Sequence, residues 1–112
     1  MEVTLTERDD TTVVKITGSI DGLNAGQVSS TFAPSISGGR VRLVADFSGV
    51  NYTSSAGLRA LLGALNDSRR NGGDLRIAAL QPQVERVLAL AGFTGIIRIF
   101  TDVEAAVASY RT

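Results

Sequence analysis

The sequence predicts an α/β domain with a mixed, mainly parallel sheet of about five strands and about four helices. Three observations carry that expectation. Short apolar runs rich in β-branched residues alternate with longer stretches of helical periodicity. Glycine pairs or single breakers punctuate the changes, at Gly38-Gly39, Gly72-Gly73, Pro82 and Gly92. The 112 residues, 44% of them hydrophobic and 20% charged, suit one domain spanning residues 1–112. A chain of this size removes roughly two thirds of its unfolded surface from water. The predicted order is β-β-α-β-α-β-α-β-α, with right-handed crossovers between parallel strands.

Val3 to Thr6 alternates apolar and polar, as a half-buried strand does. Asp9-Asp10 signals a turn, and Thr12 to Thr17 reads as the second arm of a hairpin. Gly18 to Asn24 reads as a loop. The first helix follows, with Ala25, Val28 and Phe32 on one face and Pro34 expected to end or kink it. Val41 to Phe47 is apolar enough for a central strand covered on both faces. The helix from about Ser55 to Asn71 sets Leu58, Leu61, Leu62 and Leu65 at the spacing of a buried stripe. Arg69-Arg70 suits its negative end, and Gly72-Gly73 supplies a left-handed cap.

Leu75 to Ala79 is the next strand. Pro82 opens a helix as its first residue, with Val84, Val87, Leu88 and Ala91 facing inward and Gly92 closing it. Ile96 to Phe100 is the last strand. Thr101 and Glu104 have the spacing of a capping box opening a final helix, with Val103, Ala106, Val107 and Tyr110 on its apolar face.

Composition removes several classes of function. Eleven basic residues balance eleven acidic ones, and no basic stripe gathers nucleic acid or an anionic membrane. Cysteine and histidine are both absent, so thiol chemistry is excluded and the commonest metal ligand and general base are missing. No apolar run approaches the roughly 20 residues that span a bilayer, and Met1 to Thr4 lacks the basic start of a signal peptide. A soluble, cytoplasmic domain without membrane insertion is the expectation.

The most informative stretch runs from Asp46 to Arg59, where an apolar strand gives way to a polar turn and two serines at the mouth of an amphipathic helix. Backbone N–H groups there lack intrahelical partners and favour added negative charge. A nucleophile elbow would read Gly-x-Ser-x-Gly, but the sequence is Thr53-Ser54-Ser55-Ala56-Gly57 with no histidine for a base. A phosphate-binding loop would need a lysine, and Lys15 is the only one in the chain. Three or four carboxylates are nowhere spaced to hold a metal, and no cofactor is implied. Phosphorylation of Ser54 or Ser55 by another protein remains, adding about −1.5 to −2 charges to a neutral surface. Asp21 and Asp46, each following or ending a strand, would then repel the phosphate. The plainer roles are a helix cap for either serine, a turn acceptor for Asp46 and a cap on the first helix for Asp21.

Read together, these pieces resemble the STAS domains, and among them the small single-domain anti-sigma factor antagonists of bacteria. The resemblance rests on Ile16-Thr17-Gly18-Ser19-Ile20-Asp21, Val44 to Val50, Ser54 to Leu62, Gly72 to Leu75, and Val84 to Leu88 leading to Ala91-Gly92-Phe93 and Ile97. It runs from the second strand to the C-terminus. It implies a protein-binding switch with no catalysis of its own. The unphosphorylated form would bind an anti-sigma factor that is a serine kinase of the histidine-kinase-like ATPase type, freeing the sigma factor. Phosphorylation of one loop serine would break that complex, and a PP2C-type phosphatase would restore it. The resemblance assigns the acceptor to Ser55, with Ser54 as fallback, and the partner-binding face to Asp21, Asp46, Thr53, Ser54, Ala56 and Arg59. The alternative it leaves is a STAS subunit of a regulatory or transporter-associated assembly, without a phosphorylation cycle.

Overall fold

The computed structural model describes residues 1–111. Its strands are β1 (Glu2–Arg8), β2 (Thr11–Ile20), β3 (Arg42–Thr53), β4 (Asp74–Ala78) and β5 (Ile99–Phe100). Its helices are α1 (Ala25–Ser37), α2 (Ser55–Arg70), α3 (Pro82–Leu90) and α4 (Val103–Ala108). The five strands form one sheet in chain order, β1 antiparallel to β2 and the remaining pairs parallel. The α/β order and the mixed, mainly parallel sheet match the expectation.

The alternation of side chains along the central strands decides where the helices go. Val14, Ile16, Leu43, Ala45, Phe47, Leu75 and Ile77 point to one face, where they meet the buried residues of α1, α2 and α3. Val13, Val44 and Ala78 point to the other, which α4 covers with Ala106 and Val107. The leucine stripe of α2 is graded: Leu61 and Leu65 are fully buried, and Leu58 and Leu62 pack at the margin. Gly72, in the left-handed region, ends that helix as the sequence indicates.

Several boundaries differ from the expectation. The segment Gly18 to Ile20 is strand rather than loop, and β3 continues past Phe47 to Thr53. Two register shifts, between Lys15 and Thr17 and between Gly18 and Ser19, break the strict two-residue period that would reveal these extensions. Gly18 sits at φ +105°, a conformation open to glycine, which lets β2 resume after the break. Pro34 lies inside α1, which runs on to Ser37 because buried Ile36 anchors its last turn. Strand β1 is mostly exposed rather than half-buried, since it has no neighbour on its outer side.

Strand β5 is two residues long, because Phe93–Gly95 forms a 3₁₀ turn and Ile96 is exposed. On α3 only Val84 and Leu88 are buried, so Val87 and Ala91 face outward rather than inward. The cap of α4 is Asp102, whose carboxylate accepts the Ala105 N–H at 2.8 Å; Thr101, the expected cap, precedes it.

Candidate functional site

The unequal lengths of the parallel strands create the site. Pairing between β3 and β4 stops at Asp46 and Ala78, whereas pairing between β2 and β3 continues to Ile20 and Thr53. The two strands therefore project as a ribbon beyond the rest of the sheet. At its tip the Ser54 N–H donates to the Ile20 carbonyl at 2.8 Å, carrying the ladder one step further. The chain then enters α2 on one side and the Asp21–Asn24 loop on the other.

The two serines have different jobs. Ser54 is extended (φ −83°, ψ 172°), and its Oγ accepts the Gly57 N–H at 3.2 Å. It is the N-cap of a sixteen-residue helix, and its hydroxyl is engaged in that role. Ser55 is the first residue inside the helix and is exposed. Gly57 fixes how closely the helix approaches the ribbon. A Cβ there would stand 2.3 Å from Thr53 Oγ1 and 2.8 Å from Ile20 Cγ2, so a side chain would lift the helix end off the strands.

The opposing loop is closed by reciprocal amide bonds. Asp21 Oδ1 accepts the N–H groups of Leu23 at 2.9 Å and Asn24 at 3.0 Å. Asn24 Oδ1 accepts the Asp21 N–H at 2.8 Å, while its Nδ2 donates to the Ser19 carbonyl at 2.9 Å. Ser19 Oγ donates in turn to Asn51 Oδ1 at 2.8 Å, tying the loop to β3. Asp21 therefore shapes its own loop, and Asn24 rather than Asp21 is the N-cap residue of α1.

Of the residues singled out in the sequence, Asp21, Ser54, Ser55 and Ala56 come together at this tip, and exposed Arg59 lies one turn further along α2. Thr53 is a correction: at 3% exposure it lies beneath the surface, in contact range of Gly57, and supports the helix end from inside. Asp46 is the other. Its Oδ1 accepts the Ser48 N–H at 3.0 Å, the turn-acceptor role, but β3 does not end there. Eight residues of rising chain separate it from Ser54, a distance on the order of 20 Å.

Two apolar side chains at this end escaped the sequence reading. Leu23, on the Asp21 loop, is 98% exposed, and Tyr52, near the end of β3, is 52% exposed. Their signal was local: an apolar residue inside the polar turn Asp21-Gly22-Leu23-Asn24, and an aromatic out of phase with its strand. Around them the surface carries hydroxyls and amides, with no ion pair recorded for any residue of the loop or of the first turn of α2 among the described residues. No cluster of three carboxylates capable of holding a metal occurs among the described residues. No described helix is long and apolar enough to cross a membrane.

What the tip offers is an exposed hydroxyl on a helix N-terminus, flanked by one carboxylate and two projecting apolar groups.

The comparisons with known proteins identify the family. The model of the STAS domain family matches residues 2–106. BtrV of Bordetella bronchiseptica, described as a candidate anti-sigma factor antagonist, is 31% identical over all of this chain and 97% of its own length. Among solved structures, a candidate anti-sigma factor antagonist of Thermotoga maritima, tm1081, superposes with a TM-score of 0.93 at 21% identity, covering 98% of this chain and 95% of that one. The anti-sigma factor antagonist SpoIIAA, unphosphorylated, gives 0.79 at 18% identity over 98% of both chains. The likeness to these structures is one of fold, and the likeness to BtrV extends to sequence over the full length. The chain belongs to the STAS domain family.

Proposed function

We propose that this chain is an anti-sigma factor antagonist that works by partner switching, with Ser55 as its phosphoacceptor. The observation that carries the reading is the division of labour between the serines. Ser54 Oγ is engaged as helix cap, while the Ser55 hydroxyl stands exposed on the first turn of α2. Family membership and full-length similarity to BtrV supply the class of partner. SpoIIAA has been solved in a phosphorylated form as well, so a chain of this fold accommodates that modification.

On this reading the cytoplasmic partner is an anti-sigma factor that is also a serine kinase of the histidine-kinase-like ATPase type. The unphosphorylated tip binds it and releases the sigma factor. A phosphate on Ser55 adds about −1.5 to −2 charges at a helix end that tolerates them, so the domain keeps its fold. The same charge, close to Asp21, is carried into an interface that formed around a neutral hydroxyl. Binding is lost without refolding, and a PP2C-type phosphatase resets the switch. Ala56 and Arg59 extend the contact along α2, and Leu23 and Tyr52 flank it.

The test is phosphorylation by the partner kinase with ATP and magnesium, read by intact mass and site mapping. One phosphate on Ser55 is the expected result, with Ser55→Ala unmodified and constitutively bound, and Ser55→Asp bound at least about tenfold more weakly. Stoichiometric phosphate on Ser55→Ala would move the acceptor to Ser54. No phosphate on the parent chain would sink the switch.

A further inference from the structure

The sheet has two edges, and they are finished differently. β5 presents two residues, Ile99–Phe100. β1 presents seven, in unbroken register with β2 from Glu2 opposite Thr17 to Arg8 opposite Thr11. It holds no proline, no lysine and no bulge, three of the devices by which edge strands refuse another strand, and its charged residues, Glu2, Glu7 and Arg8, are of both signs. Leu5, at its midpoint, is 48% exposed because no further strand lies beside it.

The sequence of β1 is complementary to itself. A two-fold axis perpendicular to the sheet keeps each residue on its own face, so opposed residues must both be odd-numbered or both even-numbered. Centring the pair on Leu5 uses the whole strand. Leu5 then meets Leu5, Thr4 meets Thr6, Val3 meets Glu7, and Glu2 meets Arg8 at both ends. Centring on Thr4 or Thr6 shortens the ladder and loses the Glu2–Arg8 contacts. Arg8 already holds Glu104 at 2.8 Å within its own chain. Its guanidinium has five N–H donors, enough for a second carboxylate.

We propose that the β1 edge is a self-association surface, on which a second copy of this chain pairs β1 to β1, antiparallel and centred on Leu5. The two sheets become one continuous sheet, and the half-exposed leucines cover each other across the axis. A single strand pair buries less than a permanent dimer requires, so the association is weak and reversible.

The chain has no cysteine, which makes a thiol placed on β1 the only one present. Directly opposed Cα atoms lie about 4.5–5.5 Å apart, within disulfide reach. Two copies of residue 6 would lie about 8 Å apart, out of reach. Under mild oxidation Leu5→Cys should therefore form covalent dimer at least about tenfold faster than Thr6→Cys. Sedimentation of the parent chain should show a monomer–dimer equilibrium, weakened about tenfold by Glu2→Arg, which sets like charges opposite each other twice. Circular dichroism confirms that each variant is folded. A parent chain that stays monomeric at submillimolar concentration, or Leu5→Cys crosslinking no faster than Thr6→Cys, overturns the proposal.

Discussion

Where β3 begins, around Arg42, Asp74 and Tyr110, the molecule is tied together by ion pairs; where it finishes, around Ser54 and Asp21, it is tied by amides, hydroxyls and a single carboxylate. Seven ion pairs are recorded among the described residues, and none includes a residue of 19–24 or 51–59. At the charged end Asp74 accepts from Arg69 at 2.9 Å and from Arg76 at 3.0 Å. The Arg76 guanidinium lies 3.8 Å from the centroid of the Tyr110 ring and donates to Ser109 Oγ at 2.7 Å. Tyr110, from the segment after α4, directs its hydroxyl to the carbonyls of Leu43 at 2.7 Å and Asp74 at 2.9 Å.

The difference teaches what each end is for. Isolated surface ion pairs contribute little, but a connected set around the little-exposed Asp74 and Arg76 side chains fixes the chain where it must not move. The other end holds its shape without ion pairs, through amides, hydroxyls and the Asp21 carboxylate, leaving a surface of low fixed charge. On the proposed reading, one added phosphate would be a large local change there and would cost the fold little.

The largest effect on stability should come from breaking the charged end. Tyr110→Phe leaves two carbonyls without their phenolic donor and should cost about 1–2 kcal/mol in urea unfolding. A pH series sharpens the assignment. Burial pushes the phenol above its ordinary value of 10.0, with Arg76 pulling the other way, so the fold favours the neutral form. The contribution is complete below pH 10 and falls away as the pH climbs past it towards the raised folded value. The parent chain should therefore lose stability more steeply than Tyr110→Phe above about pH 10. Parallel curves would remove Tyr110 from the account of that end.

The serine pair gives a smaller, more selective contrast. Ser54→Ala removes the hydroxyl that accepts the Gly57 N–H and should destabilise by about 1 kcal/mol. Ser55→Ala removes an exposed hydroxyl and should stay within about 0.5 kcal/mol of the parent. Equal losses in the two variants would mean that the cap is shared and the division of labour is wrong.

That contrast also marks where the sequence could be read and where it could not. Two adjacent serines at a helix mouth are interchangeable as letters; which one caps depends on an extended Ser54 backbone set by the Ile20 carbonyl, a contact across 34 positions. Thr101 and Asp102 pose the same ambiguity at α4, again resolved by one residue. Period-based signals were legible where packing is regular, as in Leu61 and Leu65 of α2. They failed at the ribbon of β2 and β3, where two register shifts break the alternation. That failure displaced Asp46: a strand believed to end at Phe47 put its carboxylate beside the loop, and the observed strand takes it away. Leu23 was missed because the Gly18 to Asn24 segment was read for its breakers and its carboxylate, and only the folded loop shows the leucine almost fully exposed.

Leu23 supplies the subtlest prediction for the fold and the sharpest for the site. At 98% exposure it contributes no packing, so Leu23→Ser should leave unfolding unchanged within about 0.5 kcal/mol. Leu90, on α3, is 84% exposed and chemically the same, which makes Leu90→Ser the matched control. If exposed leucines are only tolerated, the two variants should behave alike in every assay. If Leu23 is an anchor of the docking face, titration with the partner kinase should show affinity reduced about tenfold for Leu23→Ser and unchanged for Leu90→Ser. The loop that carries this projecting side chain is closed by four hydrogen bonds made by Asp21 and Asn24, so its backbone is ordered before it meets anything. Little backbone entropy remains to be lost when a partner covers it, and since the side chain packs against nothing in the fold, the effect should appear in binding and not in folding.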